Sequence, residues 1–283
     1  MTKIRSVVAG LAVAGLALAG VAGAISNGVP DGNGHPNVGM LAVGFEDNGT
    51  LVRFFDCTGS YGGQRTGQPA QKVFVTAAHC VTFAAEEGIS ANQFWVTFDP
   101  DATFDVETGE VTATNWHQAS ALAFDPAAGQ SRSDAHDYAV VMLDSVPAGL
   151  APIQFPTAGL LSTLAANGGL KPGTVFDNVG YGVVPTFKQG PPRYEAPPGR
   201  MFSTSRYKAL TKAYLKLNMN SDSLEGNGGV CFGDSGSPKF IHGTNTAVAI
   251  QLGGDAICRS EDFASRLDIA AARSFYSHYL ALP

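Results

Sequence analysis

The sequence predicts an all-β protein, and three observations carry that prediction. Short runs rich in Val, Ile, Phe and Thr recur along the chain between clusters of Gly, Pro, Asn and Asp. The 34 glycines and 16 prolines supply abundant turn chemistry and leave little room for long helices. A helical repeat of apolar residues stands out only near the C-terminus.

Taken in order, strands are expected over residues 38–45, 72–77, 93–98, 138–143, 174–179 and 247–252. Residues 185–198 carry Pro191, Pro192, Pro197 and Pro198, with Gly190 and Gly199 beside them, which predicts a long irregular surface loop open to proteolysis. Over residues 268–282, Asp268 stands where it would cap the first turn of a helix. Ile269, Ala272, Tyr276 and Tyr279 follow at helical spacing, so this helix is expected to lay an aromatic face on the body. No repeat of fixed period runs through the chain.

With 283 residues, 45% hydrophobic and 15% charged, the chain can bury a large core in one big domain or two small ones. A formal net charge of −6 and the lack of any Lys/Arg run exclude a surface built to hold a phosphate backbone, so no nucleic-acid partner is expected.

The first 24 residues read as a signal peptide. Lys3 and Arg5 give a positive start, residues 7–20 are Ala, Gly, Leu and Val, and Ala22-Gly23-Ala24 offers a small-x-small cleavage site. The rival reading is a membrane anchor, because the uncharged run 6–25 approaches the roughly 20 residues of a span. Its many Ala and Gly make it a weak spanner, so cleavage is expected, giving a secreted protein, extracellular or periplasmic, without membrane association. In an exported chain, Cys57, Cys80, Cys231 and Cys258 predict two disulfides, and spacing alone leaves all three connectivities open. No two of them form the close pair that a structural metal needs.

Three packets carry chemistry. Thr76-Ala77-Ala78-His79-Cys80 follows an apolar run, Asp137 opens the apolar run 138–143, and Gly233-Asp234-Ser235-Gly236-Ser237-Pro238 sets a serine in a tight turn. Hydrolysis of an amide through a serine needs a hydroxyl, a base of near-neutral pKa, a carboxylate to orient the base, and donors for the developing oxyanion. Of the six histidines, His35, His117, His136, His242 and His278 have no such surroundings. Asp134 and Asp144 are alternatives to Asp137, but neither opens the apolar run. An α/β-hydrolase would want Gly-x-Ser-x-Gly, and Ser237 stands at the last glycine position.

In order and content, the packets resemble the three catalytic signatures of the chymotrypsin/trypsin family, in its secreted bacterial-type form, and the likeness extends from about Ile25 to the C-terminal helix. The resemblance implies two six-stranded Greek-key β-barrels, about 25–145 and 146–267, followed by the helix 268–282. It implies a serine endopeptidase with Ser235 as nucleophile, His79 as general base and Asp137 as orienting carboxylate. The N–H groups of Gly233 and Ser235 would form the oxyanion hole. It pairs Cys57 with Cys80 and Cys231 with Cys258, each closing a loop worth roughly 3 to 4 kcal/mol.

By the same likeness, Ile25-Ser26-Asn27-Gly28 resembles the mature start, whose ammonium would pair with Asp234. Gly229 falls at the base of the primary specificity pocket, where trypsin-like enzymes carry Asp, and Asp262 falls on its other wall. Two outcomes stay open there. Asp262 pairs with a Lys or Arg of the substrate, or it faces solvent and the pocket is apolar or broad. Leu252-Gly253-Gly254 replaces the family's usual Ser-Trp-Gly, which implies a wider cleft whose backbone can still pair with an extended peptide. Asp31-Gly32-Asn33-Gly34 hints at a calcium loop, but Pro36 stands where that loop needs Gly, so a turn is expected. No metal or cofactor is expected. The expected partners are a protein or peptide substrate and proteinaceous inhibitors. The alternatives are a catalytically silent binding homologue or an esterase on small acyl substrates.

Overall fold

The computed structural model describes residues 27–134, 136–186, 190–220 and 226–283. The signal segment 1–24 and Ile25 therefore lie outside the described residues. In chain order, the first strands are β1 (Val29–Pro30), β2 (Val38–Asp47), β3 (Thr50–Arg65) and β4 (Gln68–Thr76). Helix α1 (Phe83–Glu87) is followed by β5 (Phe94–Thr97), β6 (Thr103–Phe104), β7 (Val111–Thr112), β8 (Trp116–Phe124) and β9 (Ala139–Leu143). Helix α2 (Leu160–Ala166) precedes β10 (Val175–Gly180), β11 (Val184–Thr186), β12 (Arg193–Glu195), β13 (Met201–Leu210) and β14 (Tyr214–Asn218). The chain then forms β15 (Pro238–Ile241), β16 (Ala247–Gly254), β17 (Glu261–Arg266) and α3 (Ala270–Tyr276).

Strands β2-β3-β4-β9-β8-β5 close into a barrel. A second ring runs β13-β10-β15-β16-β17-β14 and closes through the β13–β14 pairing, with β1 added outside β13. Numbered by sequence within each ring, both follow the order 1-2-3-6-5-4, the Greek-key connection expected of this fold class.

Strand alternation sorts the first barrel's side chains into two cores. Leu41, Val43, Phe74, Val141 and Leu143 pack in one cluster with Phe94 and Val96. Their neighbours Met40, Val73, Val75, Val140 and Met142 point the other way, into a cluster shared with Tyr181, Phe240 and Ile250 of the second barrel and Tyr276 of α3. A third cluster, with Phe176, Leu215, Leu217 and Val248, belongs to the second barrel and α2. Each such side chain, fully buried, contributes about 1.5–3 kcal/mol.

Arg200, fully buried, staples the barrels together. Its guanidinium donates to Asp31, to the carbonyls of Gly32, Val38 and Phe98, and to the Tyr181 hydroxyl. The Asp31 carboxylate also takes the backbone and ring nitrogens of His35. The segment with the calcium-loop hint is thus a turn that anchors Arg200, closed by Gly34 N–H to Asp31 O at 3.0 Å.

Two expectations need correction. Residues 185–198 are not irregular throughout, because Val184, Pro185 and Thr186 pair with Glu195, Tyr194 and Arg193 in a two-stranded ribbon. The C-terminal helix is shorter than 268–282, running over Ala270–Tyr276 with Ile269 at its start and no side-chain cap. Asp268 is taken elsewhere. It forms a two-oxygen ion pair with Arg266 and accepts the Leu161 N–H of α2 at 2.8 Å.

Candidate active site

The register of one ladder sets His79 against Asp137. Strands β4 and β9 are antiparallel, with Thr76 opposite Ala139. The chain that leaves Thr76 toward His79 therefore runs beside the chain that reaches Ala139 through Asp137. A single 3-10 turn over Ala78–Cys80 presents the imidazole. Asp137 Oδ1 accepts the His79 backbone N–H at 2.9 Å and Oδ2 meets Nδ1 at 2.8 Å. The carboxylate is 6% exposed and the imidazole 44%. Burial disfavours the imidazolium, but the Asp137 hydrogen bond and the charges of Asp137 and Asp56 outweigh it, so the pKa of His79 is raised. Asp144 is exposed, and Asp134 lies 3.6 Å from His136 instead.

Both barrels hold the Ser235 turn. Thr58 of β3 donates its N–H to Ser235 O at 3.0 Å and its hydroxyl to Gly233 O at 2.9 Å. From β16, Gln251 O accepts the Gly236 N–H at 2.8 Å. Gly233 has φ +92°, and a Cβ there would fall 2.3 Å from the Phe55 ring, so only glycine fits. Among the described residues, the N–H groups of Gly233 and Ser235 donate to nothing. Ser235 lines a cavity of about 240 Å3 together with Leu252, Gly253 and Gly254, and Leu252 also lines the cleft beside His79 and Asp137. No hydrogen bond joins His79 to Ser235 among the described residues.

Asp234 is fully buried, and its carboxylate accepts the N–H groups of Gly182 and Cys231 at 2.8 and 2.9 Å. Burial pushes its pKa up to about 6, against the opposing pull of those two bonds. A Cβ on Gly182 would sit 2.6 Å from this carboxylate, so the close approach requires glycine. Ile25, its expected partner, lies outside the described residues. Two residues on, Asn27 donates to the carbonyls of Gly226 and Asn227, which ties the start of the described chain to the segment leading into the Ser235 turn.

The specificity pocket departs from the expectation. Asp262 is wholly buried in an ion pair with Lys239 at 2.7 Å, and Lys239 also donates to Asn178 at 2.6 Å. Its charge is neutralised inside the second barrel and is not offered to a substrate. Gly229 does not line the cavity, because Met219 packs where its side chain would project. Asp255 lies at the cavity wall, with its carboxylate engaged by the N–H groups of Arg259, Ser260 and Glu261. Sequence reasoning missed Met219, which carries no motif. It also missed Gln251, whose amide donates to Gly253 O at 2.7 Å beside Ser235 in the cavity lining.

Disulfides join Cys57 to Cys80 and Cys231 to Cys258. One locks the His79 turn to β3 and the other closes the rim of the Ser235 cavity. Because the first takes both sulfurs, the close grouping of Cys57, His79 and Cys80 leaves no thiolate for a metal.

Comparison with known proteins agrees with this architecture. Human heparin binding protein is similar over 89% of this chain and 95% of its own, at 17% identity and a TM-score of 0.56. A mutant of the same human protein is similar over 90% and 94%, at 17% identity and a TM-score of 0.55. At that identity the likeness is one of fold. A search of curated proteins finds no match. The Trypsin family model matches residues 57–272, a span that holds His79, Asp137, Ser235 and both disulfides, and the chain belongs to the trypsin family.

Proposed function

We propose that the chain is a secreted serine endopeptidase. In this reading Ser235 Oγ attacks the scissile carbonyl while His79 Nε2 takes its proton. Asp137 holds the Nδ1–H tautomer and stabilises the imidazolium. The oxyanion is received by the unengaged N–H groups of Gly233 and Ser235, donors each worth about 10²–10³ in rate in comparable sites. His79 then delivers its proton to the leaving amine, the acyl-enzyme forms on Ser235, and water repeats the cycle in reverse order. The observation that carries the reading is the two-point contact of Asp137 with His79, beside a cleft that shares Leu252 with the Ser235 cavity.

Neither position 229 nor Asp262 is expected to select a cationic residue before the cut, and the acid on the cavity wall is Asp255. Gly229 brings no acid, Met219 closes the space behind it, and Lys239 neutralises Asp262. Two disulfides fit an oxidising compartment, and no helix among the described residues is long and apolar enough to cross a membrane. Signal cleavage after Ala24 would free Ile25 to pair with Asp234, so export itself would complete the oxyanion hole. N-terminal sequencing of the secreted protein tests that step.

The proposed activity is tested with a serine-directed phosphonate. Stoichiometric labelling of Ser235 that disappears in His79→Ala supports the peptidase. A folded protein that takes no label supports a silent binding homologue, and ester turnover without peptide cleavage supports an esterase. The structural neighbours' name speaks of heparin, but a net charge of −6 gives this chain no overall attraction for a polyanion.

A further inference from the structure

Asp137 occupies the centre of a three-residue turn. The Tyr138 N–H donates to the His136 carbonyl at 2.8 Å, and His136 enters the turn with φ +47°, a left-handed conformation uncommon for a residue with a Cβ. Such a conformation persists only where the surroundings enforce it. Asp137 is the next residue, so the direction in which its carboxylate leaves the backbone toward His79 depends on that conformation being kept.

Asp125 enforces it from both sides. Its Oδ2 lies 3.0 Å from Nδ1 of the His136 ring. Its own N–H donates to the Tyr138 carbonyl at 2.9 Å, one step beyond the Phe124–Ala139 pair that ends the β8–β9 ladder. The two residues that flank Asp137 are thus tied to one acid. Asp125 is itself fixed, because its Oδ1 accepts the Ala127 N–H and its carbonyl the Ala128 N–H, each at 2.9 Å. Its side chain is 12% exposed and that of His136 28%, so water competes little for their contact. On the other edge of the His136 ring, the Asp134 carboxylate lies 3.6 Å from Nε2. The ring also meets that of Tyr138 edge-on, with centroids 6.3 Å apart. Asp125 and His136 border a separate cavity of about 440 Å3, and neither lines the cleft beside His79 and Asp137.

We propose that Asp125 and His136 form a second carboxylate–imidazole pair that positions Asp137, the orienting acid of the triad. The inference rests on the peptidase reading. Both are positioning residues, set behind the acid and away from the reacting atoms. The contact of Asp137 with His79 fixes the catalytic tautomer, and the contact of Asp125 with His136 holds the turn that aims Asp137 at the imidazole. Once that hold is lost, residue 136 relaxes out of the left-handed region and the Asp137 carboxylate swings away from Nδ1 of His79.

The test measures kcat and KM on one peptide, together with the low-field proton signal of the hydrogen bond between His79 Nδ1 and Asp137. His136→Ala is expected to lower kcat by roughly tenfold or more, toward the hundredfold that a misplacement of about 1 Å can cost, with KM within about twofold. The proton signal should shift or vanish. His136→Asn, which tolerates the left-handed conformation and keeps a donor for Asp125, should restore most of the rate. Asp125→Ala should match His136→Ala, and the double variant should be no slower than either single one, because both act through one contact. His136→Gly takes the left-handed conformation freely but gives Asp125 nothing to hold, and it carries the same expectation where an alanine variant does not fold. In an Asp137→Ala background none of these changes should slow the residual rate further. A loss of the same factor in that background overturns the inference, marking the pair as part of the fold alone. Unchanged kcat and an unchanged proton signal in the single variants, with circular dichroism showing them folded, overturn it too and leave the peptidase reading standing. An unaltered protein that neither cuts peptide nor takes the phosphonate on Ser235 overturns the peptidase reading and this inference with it.

Discussion

Lys239 and Asp262 meet at 2.7 Å inside the second barrel, and neither side chain has any exposure to solvent. Asn178 takes a second Lys239 proton and donates to Ser203 and Ser205, and Ser205 donates to the Gly228 carbonyl next to Gly229. The pair thus connects the barrel interior to the backbone behind the Ser235 cavity. Removing one partner leaves an uncompensated charge, which costs about 3–5 kcal/mol. Lys239→Met is expected to lose that much stability in urea unfolding, and Lys239→Met with Asp262→Leu to recover most of it. A single variant as stable as the unaltered protein would show that the pair is not isolated from water.

Asp137→Asn should lower kcat by on the order of 10⁴-fold, a magnitude taken from well-studied members of this family. The amide would favour the wrong imidazole tautomer while keeping the side chain's shape. Stopped assays against one peptide, with circular dichroism to confirm the fold, check this. A loss under tenfold would mean that Asp137 does not orient the base.

The pH profile follows from the same contact. His79 acts as a base only when neutral, and its pKa is raised above the ordinary 6.5, so the acid limb of kcat/KM should lie above pH 6.5. The stability contribution has the opposite sense. A group whose folded pKa is raised stabilises below its unfolded value, and that stabilisation fades as pH climbs through the folded value. Melting curves between pH 5 and 9 should therefore show a loss above pH 6.5 that Asp137→Asn reduces, the remainder belonging to Asp56, whose own raised pKa acts in the same window.

Replacing Cys231 and Cys258 by serine opens a loop with a sequence separation of 27. Chain entropy puts the cost near 3.5 kcal/mol. Both cysteines also line the Ser235 cavity, so phosphonate labelling should slow even under conditions where the variant stays folded. Unchanged labelling in a destabilised variant would separate the bridge's role in the fold from its role at the site.

The chemistry-bearing residues were legible because their surroundings are local. His79 sits in a five-residue packet after an apolar run, Asp137 opens a strand, and Ser235 lies among residues suited to a tight turn. The six expected strands were legible too, since a run of β-branched and aromatic residues between turn clusters is a local signal that needs no knowledge of its neighbours. The fates of Asp262 and Asp268 could not be read that way. The resemblance puts Asp262 on a pocket wall and the helical spacing puts Asp268 at a cap, but both are recruited by cations of the second barrel, Lys239 and Arg266.

The sequence by itself determined which side chains can react, that the chain folds as strands and turns, and that its cysteines suit two bridges. Tertiary structure alone decided which partner each acid receives. A buried carboxylate goes to whichever donor the ladders bring within reach, and register across strands far apart in the chain sets that distance. Asp137 thereby received His79 and Asp262 received Lys239, while an irregularity in the β2–β3 ladder left Asp56 without a hydrogen bond to its Oδ2.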